Sequence, residues 1–170
     1  LLFFKSINLT TYAARTRNPD RSGRTVEGTS YRGRFDYTTD RYAAALEHML
    51  IDADFSPEVG FVRRTDVRRT FGMARFSPRP RRSRVVRKLN WQVNYDYLTD
   101  AKAAQVQAKE LSAVFRVDFQ SSDSASVEQW REYEFLPGRF TVAPGVVVPA
   151  GGYTADTTRL SYSMGQQRRV

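Results

Sequence analysis

The chain has 170 residues, enough for one domain with its own core. It contains no cysteine, which excludes disulfides and thiolate metal sites, and no run of 18 apolar residues, which excludes a membrane-spanning helix. The formal net charge of +9 comes from one segment: residues 63–88 hold eleven Lys or Arg but a single acidic residue, Asp66.

Eight segments have the period-two alternation of β-strands, because successive side chains of a strand point to opposite faces. Most exceed the usual five or six residues. Composition favours a helix only at Ala101–Leu111. Alternation from Leu111 to Phe119 predicts that at least the second half of this region is a strand. In chain order the predicted strands cover 3–15, 28–37, 41–51, 67–76, 85–97, 106–119, 124–135 and 153–164.

The fifth segment alternates most clearly. One column is apolar and aromatic and the other is polar. Long strands with one apolar face and aromatic ends are typical of a transmembrane β-barrel. The apolar column is Leu89, Trp91, Val93, Tyr95 and Tyr97, and the polar column is Lys88, Asn90, Gln92, Asn94 and Asp96.

Two segments fit this interpretation less well. Arg69 and Arg75 share a column with Phe71, and Arg131 shares one with Val127. A charge facing lipid at mid-membrane costs about 2–4 kcal/mol. Both segments therefore count against a barrel unless these residues lie near a membrane interface.

The connections alternate in predicted length. Short ones at 38–40, 77–83 and 120–123 alternate with longer ones at 16–27, 52–66 and 136–152, and 98–105 is intermediate. Outer-membrane barrels have short periplasmic turns and long external loops. We therefore predict an all-β, antiparallel up-and-down meander of about eight long strands, either an outer-membrane-type barrel or an arc of one. Because the chain begins with Leu1 rather than Met, we expect residues 1–170 to be one domain of a longer protein.

The polar columns predict the side chains that would line the lumen of a barrel. Aromatic residues near strand ends, such as Tyr37, Tyr42, Tyr95 and Tyr97, predict the girdles at the two membrane interfaces. The predicted lumen-facing residues are Arg32, Arg34, Asn90, Gln92, Asn94, Asp96, Arg116 and Asp118.

The long connection 52–66 contains the best candidates for recognition, because external loops carry binding residues. Its Pro and Gly also fix tight turns, so a purely structural loop, folded onto the rim or into the lumen, stays an alternative. The candidates are Pro57, Glu58, Phe61, Arg63 and Arg64.

The basic segment 63–88 has two interpretations. Arg pairs with phosphate bidentately, which suits lipopolysaccharide or nucleic acid. Alternatively its Arg side chains line the lumen or extend to the membrane interface, which is the interpretation we favour. Nucleic acid is the weakest version, because only Phe71 and Phe76 are interleaved with the cluster.

No motif predicts an enzyme, a cofactor or a metal site. His48 is the only histidine, and neither a HExxH nor a GxSxG motif is present. Glu128, Glu132 and Glu134 flank Trp130, a pattern that glycosidases also use. Their even spacing is more simply explained by a water-facing column, neutralised by Arg side chains such as Arg116.

Several motifs resemble a known family. Together they resemble the C-terminal β-barrel-like domain, of unknown function, found in bacterial secreted and outer-membrane proteins. In that family the domain typically follows a signal peptide and a family-9-like carbohydrate-binding module. The resemblance runs from about residue 40 to the end, and it supplies no catalytic residue. The motifs are Asp54–Arg64, Phe76–Pro80, Tyr133–Pro137, Ala143–Tyr153 and Ser161–Val170.

These observations predict a non-enzymatic segment of a bacterial outer-membrane barrel, a scaffold or pore of a protein linked to glycan binding or uptake. Its expected partners are outer-membrane lipid, with lipopolysaccharide as a candidate, and a glycan held by the rest of the parent protein, but no nucleic acid. The alternative is a soluble antiparallel sheet or sandwich that binds a glycan or other ligand on its aromatic face.

Overall fold

The computed structural model describes residues 6–19, 23–57, 62 and 64–165. These residues form ten strands, and none of them belongs to a helix long and apolar enough to cross a membrane. The strands are β1 (Ile7–Pro19), β2 (Thr25–Thr38), β3 (Tyr42–Ile51), β4 (Val67–Phe76), β5 (Val86–Thr99), β6 (Val106–Phe119), β7 (Ser124–Leu136), β8 (Phe140–Ala143), β9 (Val146–Val148) and β10 (Gly151–Ser163).

Eight of these strands form a single antiparallel sheet in the order β1-β2-β3-β4-β5-β6-β7-β10. Each strand pairs with its neighbour in sequence, apart from β8 and β9, which form a separate hairpin between β7 and β10. The sheet is not closed, because β1 and β10 each pair on one side only. The predicted all-β up-and-down meander is therefore confirmed, as an arc.

The observed strand limits differ from the predicted ones mainly near the N-terminus. The expected long connection 16–27 was wrong, because β1 continues to Pro19 and pairs with β2 from Thr25 onward. Ion pairs from Arg15 and Arg17 to Glu27 join the two strands in this polar stretch. Charged ends resemble a loop in sequence, but cross-strand pairing keeps them in the sheet.

The helical composition at 101–111 also proved misleading. Residues 100–105 form a tight turn in which the Asp100 amide donates to the Gln105 carbonyl over 3.1 Å. Ala103 adopts a φ of 58° in this turn, and β6 begins at Val106. The tertiary pairing of β6 with both neighbours outweighs the weak helix propensity.

The connections lie at two ends of the sheet. We call the end with residues 39–41, 77–85 and 120–123 the short-turn end, and the end with residues 20–24, 52–66, 100–105 and 137–150 the long-loop end. The alternation in length holds where 52–66 and 137–150 are compared with 39–41 and 120–123. It fails for the other three connections, because 77–85 spans nine residues whereas 20–24 and 100–105, at the opposite end, span five and six.

Little of the sheet is covered in the described part of the chain. The buried apolar side chains there are Ala43, Ala45, Phe55, Val67 and Ala101. The loop after β3 covers part of the sheet, because the backbone of Phe55 packs against Gly28 of β2. The strands are therefore held mainly by their hydrogen-bonded ladders and by contacts between neighbouring side chains on each face.

Candidate functional site: the two faces of the sheet

The register places most of the sheet's exposed apolar side chains on one side, which we call the apolar face. Tyr12 and Tyr153 are also exposed but lie on the other side. In β5 the apolar face carries Leu89, Trp91, Val93, Tyr95 and Tyr97. Exposed apolar surface of this extent is rare on soluble monomers. The exposures on this face run from 36% to 74% for Ile7, Leu9, Tyr31, Phe35, Tyr42, Leu46, Phe76, Trp91, Val93, Tyr95, Leu111, Val127, Leu160 and Tyr162.

A row of stacked rings crosses four strands of the apolar face near the short-turn end. Tyr42 lies 5.2 Å from Phe76 between ring centroids, Phe76 lies 5.8 Å from Trp91, and Trp91 lies 5.1 Å from Phe115. Arg41 extends its guanidinium over the Tyr42 and Phe76 rings, at 5.4 and 5.3 Å. We call these four rings the first aromatic row; Arg41 lies at its short-turn side.

A second group of aromatic side chains lies nearer the long-loop end. Tyr95 stacks with Tyr97 at 6.1 Å, and Lys109 lies 5.3 Å from the Tyr133 ring. Along β5, Tyr97 lies six positions after Trp91, about 20 Å at the usual rise of a strand. The apolar face therefore has aromatic side chains towards both ends.

Two sets of polar residues argued against an apolar surface, and the structure places them on different faces. Arg69 and Arg75 lie on the opposite face, because Arg69 is opposite Met49 and Leu98 in the ladder. The β4 residues on the apolar face between Arg68 and Phe76 are Thr70, Gly72 and Ala74. The objection from Arg69 and Arg75 was therefore wrong, although Arg68, opposite Leu50, lies on the apolar face at the long-loop end of β4.

The objection from β7 stands. Gln129 and Arg131 lie on the apolar face, opposite Thr158 and Asp156 of β10. Arg131 Nε is 3.6 Å from Asp156 Oδ1, so the two charges lie close enough to neutralise each other. A polar strip thus follows the last two strands of an otherwise apolar face.

The opposite side, which we call the charged face, is built around Glu47 of β3. This side chain is 4% exposed. It accepts hydrogen bonds from Arg32 at 2.6 Å, from Arg34 at 3.1 Å and from Arg69 at 3.3 Å. Three guanidinium groups from two neighbouring strands therefore surround one carboxylate.

Two more carboxylates complete this cluster. Arg34 Nε donates to Asp36 Oδ2 over 2.8 Å, and Arg69 pairs with Asp96. The cluster then holds three Arg and three carboxylates and is electrically neutral. Such mutual pairing lets a dense set of charges share one surface without an external counter-ion.

Other polar residues of the charged face also bond to one another. Asn94 donates to Ser112 over 3.0 Å and accepts from Gln92 over 3.0 Å, and Arg116 donates to Asp118 over 2.9 Å. All of the side chains predicted to face a lumen lie on this face: Arg32, Arg34, Asn90, Gln92, Asn94, Asp96, Arg116 and Asp118.

The glutamates of β7 lie on the charged face beside Trp130. The basic partner of Glu128 is Arg159 of β10, at 4.0 Å, and its guanidinium also lies 5.0 Å from the Trp130 ring. Arg116, the partner expected from the sequence, instead pairs with Asp118. That expectation was wrong because Arg116 lies opposite Ser126 in the ladder.

The loop after β3 folds back onto β1 and β2. The Asn18 side chain donates to the Ser56 carbonyl over 2.5 Å, and the Ser56 amide donates to Thr16 Oγ1 over 3.2 Å. Asp52 accepts from the Thr29 amide over 2.9 Å. The first half of this loop is therefore fixed to the rim of the sheet.

The recognition candidates are only partly placed. Pro57 follows the fixed part of the loop, and Arg64 donates to Gln107 Oε1 over 2.5 Å. Glu58, Phe61 and Arg63 lie outside the described residues. Among the described residues, no group of three or more His, Cys, Asp or Glu has the arrangement of a metal site.

The basic turn between β4 and β5 is anchored through Asp40. This carboxylate accepts two hydrogen bonds of 2.9 Å from Arg79 and lies 3.4 Å from Lys88 Nζ. The hydrogen bonds from Arg79 hold the pKa of Asp40 well below its usual value. A single acidic residue thereby ties the turns 39–41 and 77–85 together.

Comparison with known proteins identifies no relative, so the function is inferred from the two faces of the sheet. No family model, curated protein or solved structure matches the chain. The family resemblance drawn from the motifs stays a prediction.

Proposed function

We propose that the chain is a non-enzymatic segment of a bacterial outer-membrane β-barrel, a scaffold or pore in a protein linked to glycan binding or uptake. The observation that carries this proposal is the placement of most of the large exposed apolar side chains on one face of the sheet, with aromatic rings towards both ends. Outer-membrane barrels present this pattern to lipid, as an apolar band flanked by aromatic girdles.

The charged face supports the same proposal. A barrel interior alternates with the lipid-facing surface along every strand and is polar. The Arg–carboxylate cluster around Glu47 and the amides of β5 fit a lumen wall, because their charges and hydrogen bonds are satisfied within the face. The predicted lumen residues are proposed to line this wall.

The open edges of the sheet limit the proposal to an arc. In lipid, the unpaired backbone groups along β1 and β10 would each cost several kcal/mol. Further strands of the parent protein are therefore proposed to complete the barrel. Lipopolysaccharide would contact the barrel at the long-loop end, because long loops are external.

The two tryptophans give a direct test, because Trp91 lies on the apolar face and Trp130 on the charged face. In vesicles of brominated phosphatidylcholine, bromine quenches only a tryptophan that contacts acyl chains. We expect strong quenching in a Trp130→Phe variant, which keeps Trp91, and weak quenching in a Trp91→Phe variant, which keeps Trp130.

Iodide in the aqueous phase supplies the control. It should quench Trp130 in the variant without Trp91, and leave Trp91 largely protected in the variant without Trp130. Equal bromine quenching of both variants, or none, would contradict the assignment of the apolar face to lipid. Conductance in planar bilayers then separates a pore from a closed scaffold.

The polar strip favours a second candidate, a soluble sheet that binds a glycan on its aromatic face. Arg131 and Asp156 are costly in lipid but compatible with water. A groove of about 570 Å³ on this face is lined by Tyr37, Tyr42, Phe76 and Trp91, among others. Recovery of the protein without detergent, together with saccharide-induced changes in Trp91 fluorescence, would support this candidate.

A further inference from the structure

The basic turn 77–85 and the start of β5 carry charge that the sheet does not neutralise. Arg79 and Lys88 are engaged with Asp40. The guanidinium groups of four other residues have no ion pair within the described part of the chain, and all four residues are exposed: Arg81, Arg82, Arg84 and Arg87.

Nearby carboxylates are already occupied. Asp118 pairs with Arg116, and Asp123 accepts from the Gly165 amide over 2.8 Å and from the Tyr162 hydroxyl over 2.9 Å. The short-turn end therefore presents excess positive charge. The nearby carboxylates Asp118 and Asp123 are engaged by other residues and do not neutralise this charge.

This charge lies at the border of the apolar face. β4 ends at Phe76 and the turn follows directly, so the arginines lie just beyond the first aromatic row. Val85 lies among them and is 65% exposed. Arg41 already covers two rings of the row from the same end. Apolar surface, aromatic rings and free cations thus follow one another over a short distance.

We propose that the four free arginines bind the phosphate groups of anionic glycerophospholipids in the leaflet at the short-turn end. This inference rests on the proposed function, because it requires the apolar face to contact acyl chains. Under that function the shortest turns are periplasmic, and the basic turn lies at the same end as the two shortest, 39–41 and 120–123. It therefore faces the inner leaflet and not lipopolysaccharide.

Several observations favour a lipid over a soluble anion. The free arginines are exposed and spread along the turn and the start of β5. Of the four, only Arg81 lines the groove of about 560 Å³ beside Asp40, whereas a site for one small anion would have several of them converge in a cavity. Basic side chains beside a membrane interface attract anionic lipid at about 1 kcal/mol each, roughly a fivefold preference. Guanidinium groups also bind phosphate oxygens bidentately.

The test uses the purified parent protein in phosphatidylcholine vesicles, with spin-labelled phosphatidylglycerol or spin-labelled phosphatidylcholine as the probe. The spin spectrum gives the fraction of labelled lipid immobilised at the protein surface. We expect phosphatidylglycerol to be preferred by at least about fivefold. The triple variant R81Q/R82Q/R84Q should lose most of this preference, as should high salt.

The matched control is R24Q/K102Q/R139Q, which removes the same charge from residues in the long-loop connections. It should keep the preference. An equal loss in both triple variants, or no preference in the unmodified protein, would overturn the proposal. So would removal of the preference by millimolar inorganic phosphate, which would indicate a free-anion site.

The same spectra separate the two proposals. If neither labelled lipid is immobilised, the protein does not contact acyl chains and the proposed function fails together with this inference. If both are immobilised equally, the membrane contact holds and only the phospholipid preference fails.

Discussion

Gly28 lies directly against the backbone of the loop after β3. A Cβ built on this residue would lie 2.3 Å from the backbone nitrogen of Phe55 and 2.5 Å from the carbonyl carbon of Asp54. Both are backbone atoms, so they cannot turn away as a side-chain tip can. The absence of a side chain at position 28 is what lets the loop after β3 lie on β2.

We therefore expect Gly28→Val to displace this loop and to lower the free energy of unfolding by about 1–3 kcal/mol, as overpacking does. Gly33→Val is the matched control, because Gly33 lies in the same strand with no atom within 4 Å of a built Cβ. Denaturant titration of both variants is the measurement. Equal stability losses would mean that the contact with Phe55 does not set the loop position.

Asp40 makes its contribution through charge. Hydrogen bonds from Arg79 lower its folded-state pKa, so the carboxylate stabilises the folded state above the unfolded value of about 3.9. This contribution is lost as the pH falls below that value towards the folded pKa. Arg79→Gln should raise the pKa of Asp40, which carboxyl carbon NMR titration measures. A titration midpoint that does not move would contradict the pairing.

At the scale of elements, β7 and β10 differ from the other strands. Their residues on the apolar face include Gln129, Arg131, Thr154, Asp156 and Thr158. Strands β1 to β6 carry mostly apolar side chains at the same levels of the ladder. Whether β7 and β10 contact lipid or water therefore tests most directly what covers the apolar face.

Asp156→Leu leaves Arg131 unpaired on that face. In lipid we expect a loss of about 2–4 kcal/mol in unfolding free energy, whereas an exposed pair in water is worth about 1 kcal/mol or less. Glu128→Leu is the control, because it breaks the pair with Arg159 on the charged face. Equally small effects in vesicle-folded protein would show that the strip does not contact lipid.

At the scale of the whole molecule, the two ends of the sheet differ in the charged residues that they carry. The short-turn end carries the free arginines, while Asp96, Glu110 and Glu132 lie opposite one another in neighbouring strands nearer the long-loop end. This polarity gives the sheet distinct ends, as a barrel with a fixed orientation in an asymmetric membrane requires.

Cell fractionation of the parent protein tests the whole-molecule proposal. We expect recovery from the outer membrane only with detergent, and different migration of heated and unheated samples on SDS gels. Closed barrels resist SDS until heated, because every backbone hydrogen bond is paired. Soluble recovery without a heat shift would instead favour the glycan-binding sheet.

Local alternation was sufficient to predict much of the fold. The period of two in β5 predicts a strand with one apolar and one polar face, and the predicted limits 67–76 and 106–119 agree with β4 and β6. It was not sufficient for β8 and β9, whose short runs surround Pro144 and Gly145 and resemble a loop.

The sequence alone determined the strand periodicity, the surplus of arginine in residues 63–88 and the separation of polar from apolar columns, because each is a local property of the chain. Only the tertiary structure decided which columns share a face. The strand register placed Arg69 with Glu47 and Asp96 and left Arg131 beside Asp156. The contact between the turns 39–41 and 77–85 gave Arg79 and Lys88 their partner Asp40. Those pairings join residues far apart in sequence, and cross-strand hydrogen bonding, which single-chain patterns do not encode, brings them together.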